Sequence, residues 1–583
     1  MKKTLENILV VSVAITFSAH VYAETQVIDA GALQQQIQKE APNLFMAPLP
    51  EVGVPKSEQI EGEAAVQILI KGVRLQGVHL VNEQALLDAL APSLGKTYSM
   101  QGLQKLVDAV SDFYAAQGFV VQVFLPEQNM KEDGVLLIQV VEANLGGVSV
   151  ENKDGLARLS NEQATAYVLS ENALGKALNT TNLAKSMAVL NELSGVKASS
   201  ALEAGDKDGE TKVHLALSRT SLVDARVEAK NTGSRSTGEA QGVISAAWNS
   251  PLKQGDQASF YGMYSAGSNF SQVMYSVPVG YRGLRLALTG NYLDYQNVGS
   301  YKTNGGFGNA WVMAANLSYP MQRSQNTNAN VMLGFEKKGY LNRDLASREV
   351  NSSFDIENIN IGANANHYDA LLGGGMSSVN ASLVLGHLDL DASTPATFGA
   401  YCPTTNDCYS YVPNHFTKLT FNASRMQSLP WPTLQLNMNV SGQLSANNLN
   451  SSEQFYLGGP NGVRAYPVAQ AGGSQGMLAS IELQKTLPQH LVASVFFDAG
   501  TVQQYKDPYP GWQGDTAAAN GYELYGAGMS VKWTSGKWNA AAVLAWKVGN
   551  NPLKIVKDGA YVYLDNDGTD SNPRAWLNAS YTF

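Results

Sequence analysis

From Leu222 to the end of the chain, apolar and polar side chains alternate in runs of about ten residues, separated by clusters of Gly, Asn, Ser and Pro. Leu284-Arg285-Leu286-Ala287-Leu288-Thr289 shows the pattern plainly. The runs fall at about 223–231, 242–248, 258–264, 271–279, 284–293, 309–319, 329–338, 357–366, 378–388, 415–425, 433–443, 477–486, 490–499, 521–533, 538–547 and 575–583, sixteen in all. Successive side chains of a strand point to opposite faces, so each run has one apolar and one polar face. Runs of this length, with Tyr and Trp near their ends and alternating short and long connections, predict an all-β transmembrane barrel of about 16 antiparallel strands. The apolar face meets lipid and the polar face meets water or a plug. A soluble sandwich or a β-solenoid is the structural alternative.

Ahead of the barrel, two units repeat the order strand, helix, helix, strand, strand. In the first, 64–143, Val66 to Ile70 reads as a strand, Glu83 to Leu90 and Met100 to Gln117 as amphipathic helices, and Phe119 to Phe124 and Val135 to Val141 as strands. In the second, 144–219, strands at Gly147 to Val150, Val196 to Leu202 and Thr211 to Leu217 flank helices at 161–170 and 180–193. Each α/β unit leaves an open sheet edge, which can accept an extended chain through backbone hydrogen bonds. In the first unit the candidate binding edge is Val120, Val121, Val123 and Phe124. An edge protected by charges or loops is the plainer reading.

The first 23 residues read as an export signal: Lys2 and Lys3, an apolar run from Ile8 to Phe17, and Ala23 at the cleavage position. That run is too short to span a bilayer as a helix, and no apolar run of about 18 residues follows it. Membrane-embedded structure must therefore be a closed barrel, since hydrocarbon offers no partner to an open strand edge. Within 24–40, Asp29 can cap a short helix to Glu40, where Leu33 and Ile37 pair at i, i+4 among glutamines that include Gln34 and Gln38. Residues 41–63, with Pro42, Pro48, Pro50 and Pro55, read as an extended linker.

Composition narrows the function. The 54 glycines, 26 tyrosines and low charge fraction suit a strand-rich protein. A net charge of −9 with no basic stripe argues against nucleic acid as a partner. The seven histidines, His20, His79, His214, His367, His387, His415 and His490, show no metal or triad spacing, so neither a metal nor another cofactor is expected. Cys402 and Cys408 flank Pro403-Thr404-Thr405-Asn406-Asp407, and in an exported protein they predict a disulfide closing an outer loop.

Two short motifs carry the candidate chemistry. Gly458-Gly459-Pro460-Asn461-Gly462-Val463-Arg464-Ala465-Tyr466-Pro467 is a glycine-rich loop with one cation, and Phe496-Phe497-Asp498-Ala499-Gly500 is a strand-like run with one acid. Arginine in such a loop can form a planar, charge-assisted pair with a carboxylate. Taken alone, the two are also compatible with a surface loop and an ordinary turn. The final run, Trp576-Leu577-Asn578-Ala579-Ser580-Tyr581-Thr582-Phe583, resembles the terminal-strand insertion signal of bacterial outer-membrane barrels, carried by Trp576, Tyr581 and Phe583.

Taken together, the chain resembles the TpsB family, the outer-membrane transporters of two-partner secretion. Val463-Arg464-Ala465-Tyr466 is similar to the family's V-R-G-Y loop motif and Phe496 to Gly500 to its F-x-D-x-G strand motif, with Ala465 standing where the family has glycine. Asn231-Thr232-Gly233-Ser234, followed by Thr237-Gly238, is similar to the opening of its first barrel strand. The resemblance implies a loop folded back into the barrel, with Gly458, Gly459, Val463, Arg464, Ala465, Tyr466 and Pro467 in the transport loop facing Phe496, Asp498 and Gly500. It implies that the helix at 24–40 plugs the pore through Leu33, Gln34, Ile37 and Gln38. It also implies two periplasmic POTRA domains and a barrel, 220–583, that exports one large TpsA-type exoprotein in an extended state. Outer-membrane lipid and, during biogenesis, the barrel assembly machinery are the other implied partners, with a monomer as the working unit. No nucleotide-hydrolysis motif appears, so folding of the exported partner outside the cell is the expected drive, and an enzyme is not expected. A BamA-like insertase and a passive porin are the alternatives; the first calls for more periplasmic units than two, and the second needs neither the units nor the loop.

Overall fold

The computed structural model describes residues 28–40, 68–128, 134–152, 157–303, 305–396, 398, 400–404, 407–510, 512–513, 519–557 and 560–583. The export segment at 1–23 and the linker at 41–63 lie outside the described residues.

Sixteen antiparallel strands, each beside its neighbour in sequence, close into a barrel when Arg574–Thr582 pairs with Val223–Lys230. All sixteen alternating runs became barrel strands. Several extend well beyond their run, such as Thr327–Asp344 and Val350–Asp369. The alternation sorts side chains as a lipid-facing barrel requires: Val331, Leu333, Phe335, Ile359 and Ile361 are exposed on the outside, while Tyr340, Phe354 and Ile356 are buried within. In water such exposure would be costly; in hydrocarbon it is the stable arrangement.

Closure is shortest at the seam between the last and first strands, where five residue pairs run from Asn578–Lys230 to Thr582–Arg226. Asn231 lengthens it. Its backbone N–H donates to the Leu577 carbonyl at 3.1 Å, and its side chain donates to the Ala575 carbonyl at 3.1 Å and accepts from the Leu577 N–H at 2.7 Å.

Each upstream unit forms a three-stranded sheet covered by two helices. In the first, Gly72–Gln76 runs parallel to Val135–Glu142, and Val121–Phe124 pairs with it on the other side. The strand expected at 66–70 is displaced: Ile68–Ile70 pairs with Lys96–Tyr98 instead. The reason is that the apolar positions continue past Lys71-Gly72, so that both Ile70 and Leu75 reach the core. Helices Glu83–Leu90 and Met100–Ala116 are capped by the side chains of Asn82 and Ser99. Glu142 ties this unit together by accepting from the N–H groups of His79 and Leu80, each at 2.7 Å, and from the Tyr114 hydroxyl at 2.8 Å.

The second unit pairs Asn144–Asn152 with Glu210–Arg219 in parallel and Val196–Ala204 antiparallel beside it. It is seated on the periplasmic turns of the barrel. Arg323 donates to both carboxylate oxygens of Glu192 at 2.5 and 3.3 Å, Arg158 donates to the Ser250 carbonyl at 2.6 Å, and Tyr167 meets Tyr281 edge to face at 5.2 Å.

Candidate functional site

The connection between Leu434–Ser445 and Gln475–Leu487 folds back into the lumen and places Arg464 against the barrel wall. Its Nε and Nη2 donate to Asp498 Oδ2 and Oδ1 at 2.9 and 2.8 Å, and its backbone N–H donates to the same carboxylate at 3.1 Å. Asp498 is wholly buried. The guanidinium lies over the Phe496 ring, 3.3 Å from its centroid. Residues 496, 498 and 500 share the inward face of one strand: Phe496 supports the cation, Asp498 binds it, and Gly500 leaves room for Leu457, whose Cδ2 lies 2.7 Å from where a Cβ would stand.

The loop's glycines follow the same logic. A Cβ on Gly462 would stand 1.9 Å from the Leu457 carbonyl oxygen, and one on Gly458 would stand 2.2 Å from that of Pro467. Gly459 has a φ of +111°. The turn closes through Val463 N–H to Leu457 O at 2.7 Å and Tyr466 N–H to Val463 O at 3.0 Å. Val463, Ala465 and Tyr466 are buried, as is Pro467. Ala465 is absent from the residues of positive φ, so alanine there carries no left-handed strain.

The short helix, Ala30–Glu40, lies inside the lumen. Leu33, Gln34 and Ile37 are buried and Gln38 is half-buried. Asp29 caps it, accepting from the Ala32 N–H at 2.8 Å, and Ser451 donates to the other Asp29 oxygen at 2.5 Å. Gln34 donates to Asn291 at 2.7 Å, Gln36 to the Thr232 carbonyl at 3.0 Å, and Lys230 pairs with Glu40. The lumen wall thus supplies a partner to each of these side chains, while the amide oxygens of Gln34 and Gln36 are buried without one.

The family profile of the haemolysin secretion/activation proteins ShlB/FhaC/HecB matches residues 209–531. The chain belongs to this family. A second profile, the ShlB-type POTRA domain, matches residues 68–143. The heme/hemopexin transporter protein HuxB of Haemophilus influenzae is 26% identical over 444 residues, covering 73% of this chain and 75% of its own. The outer membrane transporter CdiB of Escherichia coli is 24% identical over 564 residues, covering 93% and 86%. A solved CdiB structure from Escherichia coli shares the fold with a TM-score of 0.68 at 20% identity, covering 96% of this chain and 99% of that one. BamA from Haemophilus ducreyi shares the barrel fold more distantly, with a TM-score of 0.50 at 12% identity. As a member of the family, the chain is an outer-membrane protein transporter whose POTRA units stand in the periplasm.

Several residues of this transporter's site escaped sequence reading. Glu482 accepts from Arg464 Nη1 at 2.8 Å, giving the cation a second acid, and Ser480 bridges the pair by accepting from Nη2 at 3.2 Å and donating to Asp498 at 2.7 Å. Period-two spacing from Asp498's neighbours could have placed Ser480 and Glu482 on the inward face, but nothing local marks them. Trp576 also turns inward, unlike Tyr581 and Phe583, and its indole donates to the Arg464 carbonyl at 2.9 Å. At the root of the loop, buried Glu453 lies 3.1 Å from Lys338 and 2.7 Å from Lys418, anchoring the Ser451–Glu453 turn. Over the loop's far side, Asn566 donates to Gln470 and to the Val468 carbonyl, while Arg574 pairs with Asp565 and Asp567 at 3.0 Å.

Cys402 and Cys408 stand on facing strands, Ala400–Thr404 and Asp407–Ser410, of a small hairpin in which Tyr401 pairs with Tyr409. Their side chains lie outside the described set. Among the described residues, strand Val121–Phe124 is an edge, bonded on one side only; Val120 precedes it, its carbonyl accepting from Ala143, and Phe124 is exposed.

Proposed function

We propose that this transporter captures one large TpsA-type exoprotein in the periplasm and conducts it, extended and without nucleotide hydrolysis, to the cell surface. The observation that carries this reading is the three-residue clasp of Arg464, Asp498 and Glu482, which holds a folded-back loop inside a lumen also occupied by a polar helix. A passive pore has no use for either. The open strands Val121–Phe124 and Val196–Ala204 supply backbone donors and acceptors to which an incoming chain can add as a further strand. Residues 64–143 and 144–219 serve as the two capture domains, 220–583 as the barrel and 24–40 as the plug, after removal of 1–23. Nothing in this mechanism calls for a catalytic group or a cofactor.

The similar HuxB is named a heme/hemopexin transporter and the similar CdiB an outer membrane transporter, so the cargo of this chain is identified from the producing cell. Deleting this gene should remove one large protein from the culture supernatant. Broad loss of outer-membrane barrels would instead point to an insertase, and altered small-solute uptake alone to a porin.

A further inference from the structure

The lumen wall on the periplasmic side of the helix carries a pattern the clasp does not use. Strands Thr327–Asp344, Val350–Asp369, Gly375–Leu390 and His415–Ser428 stand side by side. Their register places Asn330 opposite Asn364, Asn364 opposite Asn380, and Asn380 opposite Asn422, with Asn328 opposite Asn366 one step nearer the periplasm. Even-numbered positions here face inward, since their odd-numbered neighbours Val331, Leu333, Ile361, Val379 and Leu383 are the exposed apolar residues of the lipid face. The amides bond to one another: Asn330 donates to Asn364 at 2.8 Å and Asn328 to Asn366 at 3.0 Å.

Among the described residues, no inward position of these four strands bears a charge from this level up to the row Met332, Gly362, Ser382 and Thr420. The first charges, Glu336, Lys338 and Lys418, lie above that row and are engaged with one another and Glu453. The opposite wall differs: Arg226, Glu228, Glu482 and Lys532 surround a cavity of about 530 Å³. At the foot of the asparagine panel, a cavity of about 320 Å³ is lined by Asn328, Asn330, Asn364 and Asn366 together with Gly195 and Val196 of the second POTRA unit. The charged groups of that lining are engaged: Arg323 pairs with Glu192 and donates to Asn330 at 2.7 Å, and Arg285 donates to Ser276 at 3.0 Å and to the Gly255 carbonyl at 3.3 Å. Val196 is the first residue of the open edge strand Val196–Ala204.

We infer that this uncharged asparagine panel is the entry track for the exported chain, binding its backbone as it leaves the second POTRA edge. The inference rests on the export reading above. An extended polypeptide presents an N–H and a C=O at nearly every residue. An asparagine amide offers both donors and an acceptor, so it can replace the water a moving backbone gives up, whatever the side chains are. A fixed charge would retain segments of opposite sign and turn away those of its own. A row of neutral amides does neither, which suits a cargo of varied sequence that must keep moving.

The test uses the full-length transporter in cells and follows the large protein that disappears from the supernatant when the gene is deleted. The near-isosteric variant N330D/N364D/N380D/N422D should lower its secretion by about tenfold, with cargo retained in the periplasm, as expected when one wall of a neutral conduit acquires a row of charge. N330S/N364S/N380S/N422S, which keeps a neutral donor and acceptor at each position, should secrete within about twofold of the parent. Heat-shifted electrophoretic migration verifies the barrel in each case, and single Asn364→Asp, with a loss of about threefold expected, serves if the fourfold acidic variant does not assemble. A folded acidic variant that secretes normally, or a serine variant as poor as the acidic one, overturns the panel while leaving export intact. If deleting the gene removes no large protein from the supernatant, the export reading fails and the panel falls with it.

Discussion

Ala465 and Gly526 meet inside the barrel: the Ala465 methyl lies 3.0 Å from where a Cβ on Gly526 would stand. The loop brings a methyl where the family motif has glycine, and the wall strand Gly521–Ser535 has no side chain at the point of contact. Gly526→Ala should therefore crowd the docked loop, at a cost of about 1–3 kcal/mol typical of overpacking. Adding Ala465→Gly should recover most of it. Urea unfolding of the single and double variants measures the coupling, and strictly additive effects would show that the two residues do not touch.

The clasp has two acids for one cation, which changes what charge reversal should do. Asp498→Asn leaves the guanidinium without its buried partner and should weaken loop docking by roughly 3–5 kcal/mol, with secretion falling accordingly. Glu482→Gln, on the less buried side, should cost less. Arg464→Asp with Asp498→Arg should remain poor because the new acid at 464 faces Glu482. Secretion should improve when Glu482→Gln is added, and a triple variant no better than the double would count against direct pairing.

Gly31 touches the root of the same loop. A Cβ there would stand 2.6 Å from the Ser452 Cβ and 2.8 Å from its Cα, and the adjoining Glu453 is held between two lysines. Since that turn is anchored, Gly31→Val should displace the helix. Ion conductance in planar bilayers should rise, and rise further when Ala30–Glu40 is deleted. Unchanged conductance in the deletion would remove the plugging role.

In the first POTRA unit, burial works against ionised Glu142, but the N–H groups of His79 and Leu80 and the Tyr114 hydroxyl prevail and hold its carboxyl below the usual carboxylate range. Burial and the bond to Glu142 likewise push the Tyr114 hydroxyl up. A carboxyl whose folded pKa is depressed stabilises the fold above its unfolded value, about 4.3 for glutamate, and loses that contribution as pH falls through the folded value. Hydrogen exchange at His79 and Leu80 should thus be unchanged between pH 7 and 5 after correction for intrinsic rates, and quicken relative to the rest of the unit below about pH 4. Glu142→Gln should abolish that dependence.

Cys402 and Cys408 sit on opposing hairpin strands, the placement a short disulfide needs. Alkylation of the unfolded, unreduced protein should label neither cysteine, and reduction should expose both. Labelling before reduction would rule the bridge out.

Much of this transporter was legible because the barrel's physics is local. Each of the sixteen strands must turn apolar side chains to lipid on every second residue, so the pattern reappears in every run and errors in one do not spread. The two POTRA sheets were legible for the same reason, apart from the strand displaced across Lys71-Gly72. Arg464 and Asp498 could be named through the resemblance of their two motifs to a family pattern, since a cation in a glycine loop and an acid on a strand are by themselves also compatible with a surface loop and an ordinary turn.

Glu482, Ser480 and the inward turn of Trp576 were not legible in this way, since each is an ordinary residue on an ordinary strand until the loop folds back beside it. The same holds for Glu453 with its two lysines, drawn from strands 80 residues apart. The sequence by itself determined which residues face lipid, since alternation and the hydrocarbon leave one arrangement. Only the tertiary structure decided which inward residues meet, because strand register and the path of one long loop bring together groups that no local pattern relates.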